Sequence, residues 1–496
     1  MGMSNERIWT GVPGLDLVLG GGLIGDSLYL VKGAPGTGKT TIGLQFLIEG
    51  AKRRERCLYL GLSETRGQLA SLARSFSWSL DGIEIHDMSR RGESAESKRS
   101  AYTVFNPAEM ELGEISREIL QQVDRVKPAR LVLDSLSEIR LLAEAPFRYR
   151  RELLALCDQI TEKQCTGLLI DVEAEGNQGM VAETLVSGVI LLEQLSPEYG
   201  GDRRRLRVRK LRASHSIGGY HDLNIGAGGV RIFPRLVAAE YRAAHASTEI
   251  RSGLPELDAL CGGGLDRGTS TVLMGPAGAG KSTIASQFVT QGASRGEKAA
   301  IFCFDESPTN LLIRTSGLGI PLNKYADAEV VCIVAVDPAE FSPGELAHRV
   351  RKQVDEGARI IVIDSLNGYL GSMPEERFLA AHLHELLAYL SEKGVATLMT
   401  LAQHGFFGMA DSPINISYIA DTVLLFRYFE RAGELKQAIS MVKKRTGRHE
   451  KSIRELTFTP EGVRIGDPIL SFEGVLSGNP HHVDHGLLRG ARELGK

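Results

Sequence analysis

Two short stretches have the residue types of a phosphate cradle. Gly33-Ala-Pro35-Gly36-Thr37-Gly38-Lys39-Thr40-Thr41 and Gly275-Pro-Ala277-Gly278-Ala279-Gly280-Lys281-Ser282-Thr283 both fit G-x-x-x-x-G-K-[ST]. Glycines let consecutive main-chain N–H groups curl around an anion. A helix that follows adds the partial positive charge of its N-terminus. In such a loop Lys39 and Lys281 reach the β- and γ-phosphates of a nucleotide. Thr40 and Ser282 offer hydroxyls to a Mg²⁺ ion. The chemistry expected is binding and cleavage of a nucleoside triphosphate, with ATP and Mg²⁺ as cofactors.

Cleavage needs carboxylates at defined places. Leu131-Val-Leu-Asp134-Ser135 and Ile360-Ile-Val-Ile-Asp364-Ser365 each end an apolar run on Asp-Ser, so Asp134 and Asp364 are candidates to close the metal site. An acid at such a position can also cap a turn. Leu62-Ser63-Glu64-Thr65 and Phe304-Asp305-Glu306-Ser307 supply acids one apolar run earlier. Glu64, Asp305 and Glu306 are candidates to orient or deprotonate the attacking water. The alternative for these three is a helix cap or a solvated acid.

The elements that must carry these residues come in two copies. Lys39 and Lys281 stand 242 residues apart, as do Gly11 and Gly253, Gly33 and Gly275, Gln45 and Gln287, and Glu64 and Glu306. A fixed register over so many motifs is the mark of a duplicated domain. In each copy, apolar strand-like runs alternate with amphipathic stretches. Ser27–Val31 precedes the first glycine-rich loop and Thr41–Ile48 follows it with helical spacing. Runs at 57–60, 130–134 and 167–171 read as buried strands. The expected fold is α/β: two tandem RecA-like P-loop domains, each a mostly parallel twisted sheet flanked by helices. The expected boundaries are 1–245 and 246–472, with a polar tail at 473–496.

Bulk properties narrow the function class. The chain has 496 residues, 43% hydrophobic and 24% charged, which suits globular domains. A net charge of −3 gives no general attraction to nucleic acid or anionic lipid. Cys57, Cys157, Cys165, Cys261, Cys303 and Cys332 form no C-x-x-C pair and read as buried thiols. The longest apolar runs are strand-sized, so no membrane span is expected, and the expected location is the cytoplasm.

By its loops, its Gly20-Gly-Gly-Leu23 and Gly262-Gly-Gly-Leu265 elements, the Gln-Phe pairs after each loop and the Asp-Glu-Ser segment, the chain resembles the circadian-clock ATPase family KaiC over roughly residues 8–480. Lys210-Leu-Arg212 with His215, and Lys443-Lys-Arg445 with His449, are similar to that family's late K-x-R elements. The resemblance implies a homohexameric ring with ATP at the subunit interfaces. It implies that Lys210, Arg212, Lys443 and Arg445 reach a neighbour's γ-phosphate. It also implies self-phosphorylation in the second domain, where Ser417 matches the family's serine and Tyr418 stands where the family has threonine. Glu183 occupies the Ser417 position of the first repeat, so phosphorylation belongs to the second. Partners of KaiB or histidine-kinase type follow by the same resemblance. Ser63 replaces an acid of the family's first domain, and Asp305 is one methylene shorter than its usual Glu.

Two other readings stay open. A RecA/RadA-like DNA-dependent ATPase would share the loops and the sheet, and the basic run Arg203–Arg212 could be a nucleic-acid stripe. The alternation of Leu206 and Val208 within it favours a half-buried strand at an interface. A nucleotide-gated scaffold without kinase activity is the other.

Overall fold

A computed structural model describes residues 6–89, 107–173, 180–197, 200–238, 248–337, 339–371, 379–403, 419–470, 472–474 and 481–482. The chain divides into two compact units, Met1–Arg235 and Leu236–Lys496. Each is built on one nine-stranded sheet.

In the first unit the strand order is Gly229–Phe233, His221–Gly226, Arg203–Leu211, Gly188–Leu195, Leu28–Gly33, Thr166–Val172, Arg130–Asp134, Cys57–Gly61, Ile83–Asp87. Pairing is parallel from Gly188–Leu195 through to Ile83–Asp87, and antiparallel through the last three strands of the chain order. The second unit repeats this plan with Val331–Ala335, Lys298–Cys303, Ala358–Asp364, Ala396–Ala402, Ser270–Gly275, Thr422–Arg431, Glu434–Lys444, Ile453–Thr459 and Gly462–Pro468. The fold is therefore two tandem α/β domains with mostly parallel sheets.

The central strands are apolar at nearly every position because helices cover both faces. Leu28 and Leu30 join Leu131 and Leu133 in one core layer. Tyr29 and Val31, one residue out of phase, join Val132 and the phosphate-loop helix residues Ile42 and Phe46 in the other. The two layers alternate with the period of two that a strand imposes. The helix Lys39–Lys52 is locked at its middle. The Gln45 side-chain amide donates to Val230 O at 3.0 Å, and its carbonyl oxygen accepts from Val230 N at 2.8 Å.

The repeated spacing at the start of each copy has a local cause. Asp16 accepts a hydrogen bond from Thr10 N at 2.9 Å, and Asp258 accepts one from Ser252 N at 2.7 Å. Each aspartate closes the entry segment onto a short helix that ends at the triple glycine. Six cysteines are free thiols, and all but Cys332 are buried. Among the described residues no helix is long and apolar enough to cross a membrane.

Candidate active site

Each glycine-rich loop joins the central strand of its sheet to a helix of the same length, Lys39–Lys52 and Lys281–Ser294. The helix N-caps are Gly38 and Gly280, both at φ +97°, a left-handed conformation that only glycine adopts readily. Gly36 and Gly278 are left-handed as well, at +81° and +76°. The left-handed glycines curl each loop into a concave turn, which is the shape an anion requires.

Lys39 Nζ donates to Gly33 O at 2.8 Å and to Ala34 O at 2.7 Å. Lys281 Nζ repeats the contact on Gly275 O and Pro276 O at 2.9 and 2.7 Å. Both lysines are only 8% exposed. Burial lowers the pKa of Lys39 against the opposing pull of Asp134 and Asp171. Burial lowers Lys281 to about 8, with Asp364 opposing. A buried ammonium resting on neutral carbonyls fits a site that takes a polyanion.

The predicted metal residues meet in both copies. Thr40 Oγ1 donates to Asp134 Oδ2 at 2.8 Å, and Ser282 Oγ donates to Asp364 Oδ1 at 3.0 Å. Among the described residues no group of three His, Cys, Asp or Glu is placed to hold a metal. One hydroxyl and one carboxylate suit Mg²⁺, which keeps several waters and takes further oxygens from phosphates. Each aspartate has a second donor that sequence reasoning missed. Tyr59 OH donates to Asp134 Oδ2 at 2.7 Å, and Thr400 Oγ1 donates to Asp364 Oδ1. Burial raises the pKa of Asp134, while the bonds from Tyr59 and Thr40 pull it down. Burial, and then the charge of Asp134, push Tyr59 far up, so it acts as a donor. The Asp134–Ser135 and Asp364–Ser365 peptides are both cis.

The acids lie beside these aspartates because the strands pair. Gly61 is opposite Asp134 and Cys303 is opposite Asp364, with Glu64 and Glu306 three residues further on. The cap role falls to their neighbours. Thr65 forms a capping box with Gln68, and Ser307 accepts from Asn310 N at 3.2 Å. Burial, then the charge of Asp134, raise the pKa of Glu64. Asp305 accepts a hydrogen bond from Ser365 Oγ. Ser63, in its place in the first copy, cannot accept in that way as an anion, and Ser135 Oγ pairs with Ser137 Oγ instead.

The late cations sit elsewhere. Lys210 pairs with Val189 and Lys443 with Val423; those residues lie beside Leu30 and Val272 on the phosphate-loop strands. Each lysine is thus two strands aside from the phosphate-loop strand and three residues back from the loop, about 10 Å along the strand direction at a rise near 3.3 Å. Lys210 Nζ caps Glu183 O and Val186 O at 2.8 and 2.7 Å, and Lys443 Nζ donates to Ala420 O at 2.5 Å. Arg212 reaches Thr184 O at 3.5 Å, and Arg445 pairs with Asp421 at 3.0 Å. Desolvation, then the neighbouring arginine, lower the pKa of Lys210 and of Lys443. These cations do not face the phosphate loop of their own unit.

Ser417 and Tyr418 lie outside the described residues. The first-copy counterpart of Ser417, Glu183, does not. Its Oε1 takes Lys32 Nζ at 3.1 Å and Arg209 Nη1 at 3.2 Å.

The family model for the KaiC ATPase matches residues 8–237 and again 250–469. The chain belongs to the KaiC ATPase family. Relatives cover nearly all of it. It is 26% identical to "Circadian clock protein KaiC3" of Synechocystis sp. over 485 residues, 96% of this chain and 94% of that protein. It is 28% identical to "Circadian clock oscillator protein KaiC" of Parasynechococcus marenigrum over 498 residues, 97% and 94% of the two chains. The same identity holds with the protein of that name from Prochlorococcus marinus strain SARG, over 97% and 96%. Membership makes the chain a P-loop ATPase and its nucleotide ATP.

Proposed function

We propose that this KaiC-family ATPase works as a homohexameric ring with Mg²⁺-ATP at the subunit interfaces and phosphorylates itself on Ser417. Residues 1–245 form an ATPase domain, 246–472 an ATPase and kinase domain, and 473–496 a tail. In each domain the loop N–H groups and Lys39 or Lys281 bind the triphosphate. Thr40 with Asp134, and Ser282 with Asp364, hold the ion. When bound, the ion neutralises charge on the phosphates. Glu64 and Glu306 orient the attacking water, with Asp305 in support.

The observation that carries the ring is the placement of Lys210, Arg212, Lys443 and Arg445. They stand away from their own phosphate loop, which supports the reading that a second copy presents phosphates to them. The partly desolvated Lys210 and Lys443 are suited to an anion supplied from outside. A role in timing is suggested by the relatives' names, which speak of a circadian clock; signalling through partners of KaiB or histidine-kinase type in the cytoplasm rests on the family resemblance alone.

Mixing protomers tests the trans arrangement. Lys443→Ala/Arg445→Ala and Lys281→Ala chains each lose second-site hydrolysis, measured in a Glu64→Gln background. Mixed in equal amounts, they recover part of it if the cations act on a neighbour. No recovery in mixtures that still assemble overturns the trans role.

A further inference from the structure

The two copies carry their water-orienting glutamates in different surroundings. Glu64 makes no ion pair and no side-chain hydrogen bond among the described residues. Glu306 is gripped. Arg314 Nε donates to its Oε1 at 3.2 Å and Arg314 Nη2 to its Oε2 at 2.8 Å. The remaining nitrogen, Arg314 Nη1, donates at 2.8 Å to Oγ1 of Thr283, the residue after Ser282 in the phosphate-loop helix. Arg314 projects from the helix Pro308–Gly317, whose first turn is fixed by the Ser307 cap. The arginine, the acid and the first turn of the phosphate-loop helix are therefore tied together.

The counterparts in the first copy are Leu72, Glu64 and Thr41, each 242 residues earlier. The acid and the anchoring threonine are retained, and only the arginine is absent. Leu72 packs instead against the apolar layer around Phe46 and Leu69. Asp305 is engaged as well, by Ser365, where the first copy has Ser63. Both acids of the second site are thus occupied, and the acid of the first is not.

We propose that Arg314 is a positioning residue that latches Glu306 to the phosphate-loop helix and holds hydrolysis at the second site below that of the first. This rests on the reading of Glu306 as the residue that orients water. A carboxylate offers about four lone-pair sites, and two charge-assisted bonds from one planar guanidinium take the best-aligned pair. The tie to Thr283 also fixes where the carboxylate can point. Slow hydrolysis leaves bound triphosphate available for phosphoryl transfer to a hydroxyl of the protein. The competing account is a structural ion pair, and a partly exposed pair of that kind adds little.

The test uses the full chain in a Glu64→Gln background, so that turnover reports the second site. Arg314→Leu, which installs the residue of the first copy, raises kcat about three- to tenfold with KM for ATP little changed. The rise vanishes when Glu306→Gln is added, which a structural role does not predict. Thr283→Val loosens only the anchor and gives a smaller rise, which serves if Arg314→Leu does not fold. Conversely, Leu72→Arg in a Glu306→Gln background lowers first-site turnover. The latch is overturned if Arg314→Leu and Thr283→Val leave kcat unchanged or lower it, or if the rise persists with Glu306→Gln. If Glu306→Gln alone leaves second-site turnover intact, the role of Glu306 falls and the latch with it. If it abolishes turnover while Arg314→Leu raises nothing, only the latch falls.

Discussion

Lys281 gives the sharpest prediction, because its protonation should be coupled to nucleotide binding. Burial pulls its pKa down to about 8 in the free protein, against the attraction of Asp364. A bound triphosphate is polyanionic and favours the charged form, so it raises that pKa again. Binding therefore takes up a proton wherever the free lysine is partly neutral. The sign is fixed by this difference. Below pH 8 the lysine is already charged and affinity does not depend on it. Above pH 8 affinity is lost, because binding must first protonate it. With a free-state pKa near 8, about nine-tenths of the lysine is charged at pH 7 and about one-tenth at pH 9. Affinity at the second site then falls about tenfold over that interval, or about 1.4 kcal/mol. At pH 8 each second site takes up about half a proton. Calorimetric titration with ATP in two buffers of different ionisation enthalpy measures this directly. Lys39→Ala chains keep the uptake and Lys281→Ala chains lose it. An affinity flat between pH 7 and pH 9, or a proton uptake unchanged in Lys281→Ala, refutes the coupling.

Lys39→Ala should remove binding at the first site and weaken ring assembly, seen as a smaller species in light scattering with ATP; normal assembly shows that the first site is not the switch. Glu64→Gln should leave ATP binding intact and cut first-site turnover about 10²- to 10⁴-fold, the usual worth of a general base; unchanged turnover places the base elsewhere. Gly280→Ala should destabilise the second domain by about 2 kcal/mol or more, since the site is left-handed at φ +97° and the new Cβ falls 2.0 Å from the Phe458 ring. Calorimetric unfolding reads this, and an unchanged transition contradicts the close approach. Ser417→Ala should abolish ³²P incorporation from labelled ATP, and labelling that persists moves the phosphorylated residue.

The fold was largely readable because the chain states it twice. Runs such as 130–134 are largely apolar and become the buried strand Arg130–Asp134, and the helix after each loop shows plain periodicity before it appears as Lys39–Lys52. The antiparallel extension, Arg203–Leu211 through Gly229–Phe233, was harder to see. Its first strand alternates arginine with apolar residues, a pattern that also suits a basic surface. The loop residues and their hydroxyl–aspartate partners were legible because phosphate and Mg²⁺ restrict which residue types can serve. The supporting donors were not. Tyr59 and Thr400 are ordinary strand residues, and only the pairing of distant strands brings them to Asp134 and Asp364. Arg314 is one arginine on a surface helix, and nothing in its local spacing marks it. Comparing the two copies position by position is the signal that could have found it, since Leu72 stands at its place. The same comparison exposes the buried Arg140–Asp171 pair at 2.7 Å, where the second copy has Leu370 and Leu401.

Equilibrium binding of labelled ATP, counted per chain, bears most directly on the two cradles. The wild-type chain should bind two nucleotides, Lys39→Ala and Lys281→Ala one each, and the double variant none. A double variant that still binds two, or a folded wild-type chain that binds none, contradicts the account.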